Sequence, residues 1–146
     1  MNATFDEMRE GDAADVAVLA EQLGYPCAPE DVQARIALFA NEPAEQLRVA
    51  RIGQRVVGWV HFQMRRSLTT GPRVEISQIV VEQELRGKGI GAKLVELAEE
   101  WGSAQGLTRI RLASQIKRTD THQFYLRLGY TIDKSSHFFS KPLVGE

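Results

Sequence analysis

Arginine, lysine and three alternating glycines follow one another in the segment Arg86-Gly87-Lys88-Gly89-Ile90-Gly91. Glycine has no Cβ, so an anion can approach its backbone closely, and the two basic side chains add full positive charges. Apolar residues then recur at helical spacing, which predicts a helix beginning in this segment, at Ile90, Leu94, Leu97, Ala98 and Trp101. The first N–H groups of a helix lack internal partners and carry partial positive charge. The segment is therefore predicted to hold a phosphate group.

Two common phosphate-binding motifs do not fit this segment. A P-loop needs Gly-Lys followed by Ser or Thr, and that sequence is absent. The pattern Gly87-x-Gly89-x-x-Ala92 matches the dinucleotide motif, but no acidic residue ends the next predicted strand, Arg109–Ser114. Too little chain follows that strand to complete a Rossmann sheet. A different phosphate ligand is therefore predicted.

The pattern that fits is Arg-x-x-Gly-x-Gly, formed by Arg86, Gly89 and Gly91 after the apolar strand segment Ile79-Val80-Val81. In that context it resembles the acetyl-CoA site of the GNAT superfamily of N-acetyltransferases, and the resemblance covers most of the chain. It implies that the strand backbone pairs with the pantetheine arm, with the N–H of Val81 facing the thioester carbonyl. The residues implied to bind coenzyme A are Ile79, Val80, Val81, Arg86, Gly87, Lys88, Gly89, Ile90, Gly91, Ala92 and Tyr125.

The resemblance also implies an activity, which is transfer of an acetyl group from acetyl-CoA to a primary amine by direct attack in a ternary complex. The attacking amine must be neutral, although a primary ammonium has a pKa of about 10, so some group must accept its proton. A fixed backbone N–H suffices to stabilise the oxyanion, and the departing thiolate benefits from a proton donor.

Two side chains are the candidate catalytic residues. Glu75 lies on the predicted central strand, where alternation puts it on the same side as Ser77 and Ile79, and the histone-acetylating branch of the family has its base there. The alternative for Glu75 is a solvated charge, with ordered water as the proton carrier. Tyr125 lies in a Phe-Tyr pair shortly before Gly129, where the resemblance implies an acid near the coenzyme A sulfur. The alternative is a tyrosine that packs its helix onto the sheet.

The acceptor site is predicted from aromatic, acidic and histidine side chains. The candidate substrate residues are Tyr25, Trp59, His61, Glu75 and His137. Aromatic walls with Glu30, Asp31 and Glu75 nearby favour a small amine cation, and aminoglycosides, polyamines, amino acids and peptide N-termini all remain open. The alternatives to a small-molecule enzyme are a protein or peptide N-acetyltransferase and a catalytically silent acyl-CoA sensor. No spacing of His, Cys, Asp and Glu indicates a metal site.

The predicted elements follow the order β-α-α-β-β-β-α-β-α-β-β, which is the GNAT order. It implies an α/β (α+β) fold with a mixed, mostly antiparallel sheet of about seven strands and helices on both faces. The strands before and after the glycine-rich helix are implied to run parallel and to splay apart. A turn region is predicted at Arg65–Arg73. The predicted strands are Thr4–Arg9, Gln46–Ile52, Arg55–Met64, the central strand through Val81, Arg109–Ser114, Tyr130–Lys134 and His137–Lys141.

Length and composition set the remaining expectations. With 146 residues, of which 43% are apolar and 25% charged, one globular domain spanning residues 1–146 is expected. Eighteen basic against nineteen acidic side chains give no reason to expect nucleic acid or a membrane as a partner. Cys27 has no second cysteine to pair with, and no signal peptide is evident, so a cytoplasmic location is expected. The last strand, His137–Lys141, is an expected edge through which two copies would form a homodimer.

Overall fold

The computed structural model describes residues 2–114 and 119–144. Contacts divide the chain into two compact units, Met1–Ala113 and Ser114–Glu146. Within the described ranges, the first unit holds the sheet and three α-helices, and the second holds one α-helix. That residues 1–146 form a single domain stays a prediction. In the described part of the chain, no helix is both long enough and apolar enough to cross a bilayer.

The helices and strands follow the predicted order as far as the last helix. The strands are β1 (Thr4–Glu7), β2 (Glu45–Ile52), β3 (Arg55–Ser67), β4 (Gly71–Val81) and β5 (Ile110–Leu112). The helices are α1 (Ala13–Leu23), α2 (Pro29–Phe39), α3 (Ile90–Ala104) and α4 (Thr119–Arg127). Their ends carry the expected residues, since Pro29 opens α2 and Gly24, with φ of 101°, ends α1 in the left-handed conformation.

The sheet order is β1-β2-β3-β4-β5. The first three pairs of neighbours are antiparallel, and β4 and β5 are parallel. These two strands pair only where Val74–Ile76 lies opposite Ile110–Leu112. Because β4 continues to Val81, its last residues have no strand partner on the β5 side within the described residues. A mixed sheet with splayed parallel strands confirms the predicted fold class.

Helices cover both faces of this sheet. On one face, Trp59 of β3 and Val80 of β4 belong to the same buried cluster as Ile36 of α2 and the apolar side of α1. On the other face, Phe62 contacts Trp101 of α3 edge-on, with 5.5 Å between the ring centroids. Fully burying an apolar side chain of this size contributes about 1.5–3 kcal/mol. The sheet is therefore packed between two layers of helices.

A β-bulge in β4 interrupts the alternation of its side chains. Ile76 and Gln78 pair with consecutive residues of β3, so Ser77 is an extra residue in β4. Residues directly opposite each other in a sheet share a face. The register therefore puts Glu75 and Gln78 on the face of α1 and α2, and Ile79 on the face of α3. The prediction that Glu75 and Ile79 share a side is wrong, because the bulge shifts the period by one residue.

The predicted turn region between β3 and β4 and the predicted C-terminal strands are wrong. The turn region Arg65–Arg73 is mostly strand, since β3 extends to Ser67 and β4 begins at Gly71. The predicted strands Tyr130–Lys134 and His137–Lys141 are not formed, so the sheet has five strands in the described residues rather than about seven.

The absence of the two predicted C-terminal strands has a physical reason. Phe138 and Phe139 leave 86% and 94% of their surface exposed, so neither side chain is packed. A pair of strands without a third strand or a packed face is marginal in water. The edge on which the homodimer was predicted is therefore absent, and the homodimer stays a prediction without that support.

Candidate active site

The open edge of β4 presents two backbone N–H groups. The N–H of Glu82 donates to a carbonyl of β3 at 2.7 Å. Because N–H groups alternate between the two edges of a strand, those of Ile79 and Val81 point to the opposite edge, which β5 leaves unpaired. The Nε of Arg86 donates to the Val81 carbonyl at 3.3 Å, on this same edge. The N–H of Val80, by the same alternation, faces β3.

The turn after β4 leads directly into the first turn of α3. Gly87 and Gly89 have φ of 81° and 87°, a conformation that only glycine adopts easily. A Cβ on either residue would meet no atom within 4 Å, so the space above this backbone is open. The first intrahelical bond runs from the Lys93 N–H to the Gly89 carbonyl, which leaves the N–H groups of residues 90–92 without helical partners. These residues fit a phosphate group.

A cavity of about 310 Å³ lies beside the first turn of α3. Its basic side chains are Lys88 and Lys93, and Lys93 also pairs with Glu96 at 2.8 Å. Asn2, Ala3 and Phe5 form its other wall. The sequence indicated Lys88 but not Lys93 or the N-terminal residues, which the pairing of β1 with β2 brings here.

A second cavity of about 260 Å³ lies between α1, α2 and the sheet. It contains three of the predicted substrate residues, Tyr25, Trp59 and His61. The indole N–H of Trp59 donates to a carbonyl of α1 at 3.2 Å, which fixes the ring as the cavity floor. We call this cavity the acceptor pocket, and its lining residues are Met8, Val16, Ala20, Tyr25, Pro26, Cys27, Val32, Arg35, Ile36, Phe39, Leu47, Trp59, His61 and Gln78.

His61 is held in the acceptor pocket by two contacts. Its Nε2 lies 2.7 Å from Oε1 of Glu45, and its ring stacks on Phe39 with 5.1 Å between the centroids. In the tautomer that donates from Nε2, Nδ1 keeps a free lone pair and can accept a proton. A carboxylate that orients an imidazole in this way is a common arrangement for proton transfer. His61 is therefore a candidate base.

Glu75 does not line the acceptor pocket. Its Oε1 pairs with the guanidinium of Arg73 at 3.1 Å, and its side chain is 27% exposed. It lies in the part of β4 that β5 still covers, opposite Arg111. The structure brings together Tyr25, Trp59 and His61, but it leaves Glu75 outside the cavity they share.

Tyr125 and His137 belong to the second unit. Tyr125 is buried, and its ring contacts Phe124 and Tyr130 edge-on, with centroid distances of 5.0 Å and 5.8 Å. The N–H of Tyr130 donates to the Tyr125 carbonyl at 3.0 Å, just after Gly129 ends the helix. His137 is exposed. The proposed roles of both residues stay predictions.

The sequence did not indicate two polar residues that line the acceptor pocket, Arg35 and Gln78, or Glu45, which contacts His61 behind it. Glu45 and Gln78 gave no local signal, since only the register of β2, β3 and β4 brings them to His61. Arg35 had a weak signal, because it sits at position i+3 of the apolar stripe that begins at Val32 in α2. Among the described residues, no group of three or more His, Cys, Asp and Glu side chains could hold a metal ion.

A comparison with protein families identifies the family of this chain. A model of the acetyltransferase (GNAT) family matches residues 14–130. The chain belongs to this family, which confirms the resemblance drawn from Arg86, Gly89 and Gly91.

Individual proteins are similar to different extents. The aminoalkylphosphonate N-acetyltransferase of Salmonella typhimurium is 38% identical over 104 residues, which are 70% of this chain and 66% of that protein. The chain spans less than two thirds of the length of the curated relatives it matches. Two solved structures have the same fold. They are a transcriptional regulator from Bacillus halodurans (TM-score 0.84, 23% identity, 96% and 100% of the two chains) and aminoglycoside N-acetyltransferase AAC(6′)-Iy in complex with CoA (TM-score 0.85, 17% identity, 96% and 95%).

Proposed function

We propose that this protein is an acetyl-CoA-dependent N-acetyltransferase whose acceptor is a primary amine of a small molecule. One observation carries the proposal. The open edge of β4 runs from the acceptor pocket to the glycine turn that fits a phosphate group. Gln78 lines the acceptor pocket, the N–H groups of Ile79 and Val81 follow on the open edge, and the turn at Gly87–Gly89 comes next. An extended acyl donor with a phosphate end and an acceptor could therefore meet at this edge.

The chain's own residues would divide the binding of acetyl-CoA, which supplies the activated acetyl group. Ile79 and Val81 offer edge amides to the pantetheine arm, and the Val81 N–H is available to the thioester carbonyl oxygen. The N–H groups of residues 87–92, with Arg86 and Lys88, would hold the pyrophosphate. The open space above Gly87 and Gly89 supports this assignment, since no atom of the described chain fills it.

Two side chains are proposed for the proton that the amine must lose. The resemblance assigns it to Glu75. The pocket geometry favours His61, because His61 lines the cavity and is oriented by Glu45. Glu75 lies outside the cavity and forms an ion pair with Arg73. In either case the base would take one proton from the ammonium, and the nitrogen would form its bond to the acetyl carbon as the C–S bond breaks. The nitrogen would then lose a second proton, which balances the one that the thiolate gains.

Tyr125 is proposed as the donor that protonates the departing thiolate. Its burial and the two rings around it support a fixed side chain, which proton donation requires. Tyr25, Trp59 and His61 are proposed to contact the acceptor. The contacts predicted for Glu75, which lies outside the acceptor pocket, and for His137 stay predictions.

Two of the compared proteins support a small acceptor. Their names give an aminoalkylphosphonate and an aminoglycoside as substrates. The acceptor pocket of about 260 Å³ lies below the 300–1,000 Å³ typical of sites for drug-sized ligands, which favours the smaller kind of amine. A cytoplasmic location and a homodimer belong to the proposal as expectations.

A thiol-release assay with acetyl-CoA and a panel of amines tests the proposal. The panel should contain amino acids, aminoalkylphosphonates, polyamines, aminoglycosides and a peptide with a free N-terminus. Release with free amines supports the proposed function. Release with the peptide alone would identify a protein N-acetyltransferase, and acetyl-CoA binding without any release would identify a silent sensor.

A further inference from the structure

Among the described residues that line the acceptor pocket, one has a permanently charged side chain, Arg35. Arg35 is exposed on α2, and no carboxylate of the described residues lies within ion-pairing distance of it. Asp31, one turn earlier on the same helix, is spaced for an i,i+4 pair but does not form it. The guanidinium is therefore available to a ligand.

The acidic residues expected to attract a polycation are elsewhere. Glu30 and Asp31 lie in the exposed first turn of α2 and do not line the pocket, and Glu75 is paired with Arg73. The carboxylate behind the pocket, that of Glu45, is occupied by His61 at 2.7 Å. Among the described lining residues, an amine with several positive charges would meet one cation and no free carboxylate, which is unfavourable.

We propose that the acceptor is a small amine that also carries an anionic group, such as a carboxylate or a phosphonate, and that Arg35 binds this group. Arg35 approaches from α2, while His61 and Gln78 approach from the sheet. The anion would therefore lie toward α2, with the amine directed at the sheet and the open edge of β4. A guanidinium binds such oxygens in a two-pronged fashion, which also orients the molecule. This inference rests on the proposed function.

Paired substrates and three variants test the inference. Each pair has the same amine with and without the anion, as in 2-aminoethylphosphonate or β-alanine against ethylamine. Wild-type enzyme should favour the anionic member in kcat/KM. Arg35→Gln should lower kcat/KM for that member about 10- to 100-fold and change the value for ethylamine little. Arg66→Gln is the control, since Arg66 is an exposed arginine of β3 outside the pocket, and it should behave as wild type.

The opposite charge gives a second readout. Arg35→Glu should shift the preference toward diamines such as putrescine. Calorimetry with 2-aminoethylphosphonate in the presence of CoA should show weaker binding to Arg35→Gln by a similar factor. Equal losses for both members of a pair, or no preference in wild type, would overturn the inference while leaving the enzyme assignment intact. Failure to acetylate any amine would instead overturn the proposed function.

Discussion

The turn that begins α3 and the acceptor pocket are built in opposite ways. The turn is made of consecutive residues, 86–92, and acts through backbone N–H groups on an exposed surface. The acceptor pocket is made of side chains from α1, α2, the loop between them and three strands. A site like the turn can be predicted from consecutive residues, because glycine spacing and the start of a helix are enough to indicate an anion site. A site like the acceptor pocket depends on register, which local sequence does not state.

The largest effect is expected where the comparison is clearest, at Gly89. Gly89→Glu should abolish acetyl-CoA binding in calorimetry, because the carboxylate would occupy the phosphate cradle and repel its ligand. The matched control is Gly53→Glu in the β2–β3 turn. Gly53 also has positive φ, 62°, and open space around it, so backbone strain is common to both variants. Normal affinity in Gly89→Glu would remove the cofactor assignment from this turn.

Tyr125 belongs neither to the turn that begins α3 nor to the acceptor pocket. A variant at this position tests whether catalysis needs its hydroxyl. Tyr125→Phe should lower kcat about 10²- to 10⁴-fold with an almost unchanged KM for acetyl-CoA, because the hydroxyl is lost while the ring still packs. Tyr130→Phe is the control, since Tyr130 packs edge-on against Tyr125. An equal effect in both variants would mean that the Tyr125 hydroxyl is not specifically the proton donor.

The two proposed bases can be separated by pH. His61→Gln should lower kcat/KM about 10²-fold at pH 7, and the loss should shrink toward alkaline pH, where the solution supplies free amine. Glu75→Gln should cause a smaller loss that does not vary with pH. The reverse pattern would return the role to Glu75. No pH-dependent loss in either variant would leave ordered water as the proton carrier.

The smallest effect on activity is expected at the entry of α1, where Asp12 pairs with Arg51 at 2.6 Å. Burial raises the pKa of the Asp12 carboxyl, but hydrogen bonds from Arg51 and the Arg9 amide outweigh it, so the pKa lies below its usual 3.8. A carboxyl with a lowered pKa stabilises the fold above its unfolded pKa, and the contribution is lost as pH falls through the folded value.

Urea unfolding at two pH values therefore tests this pair. Asp12→Asn should lower the free energy of unfolding by about 1–3 kcal/mol at pH 7 and flatten its decline below pH 3.8. The folded variant should keep the kcat/KM of wild type. Glu21→Gln, an exposed change on α1, should alter neither quantity. An unchanged stability in Asp12→Asn would mean that the pair contributes nothing net.

A feature could be predicted from the sequence when the residues that form it lie close together in the chain. Gly87, Gly89 and the apolar spacing of α3 predicted the turn and the family, because each signal lies within a few residues. The partnership of His61 with Glu45 could not be predicted, since it depends on how β2 and β3 align. The strands predicted after α4 failed for a related reason. Alternating residues describe a strand only if a neighbour is present to pair with it, and the sequence does not reveal the neighbour.

The bulge at Ser77 takes up one extra residue of β4 without changing the pairing of the residues after it. Replacing Ser77 keeps the count of residues, so the amides of Ile79 and Val81 still point to the open edge. Deleting it would leave an unbroken ladder in which Gln78 still pairs with His61, so those amides would keep the open edge and the two faces would not exchange. A deletion after Gln78 would instead exchange the faces and turn the amides toward β3. Homologous chains should therefore vary in length at Ser77 more readily than between Gln78 and Arg86.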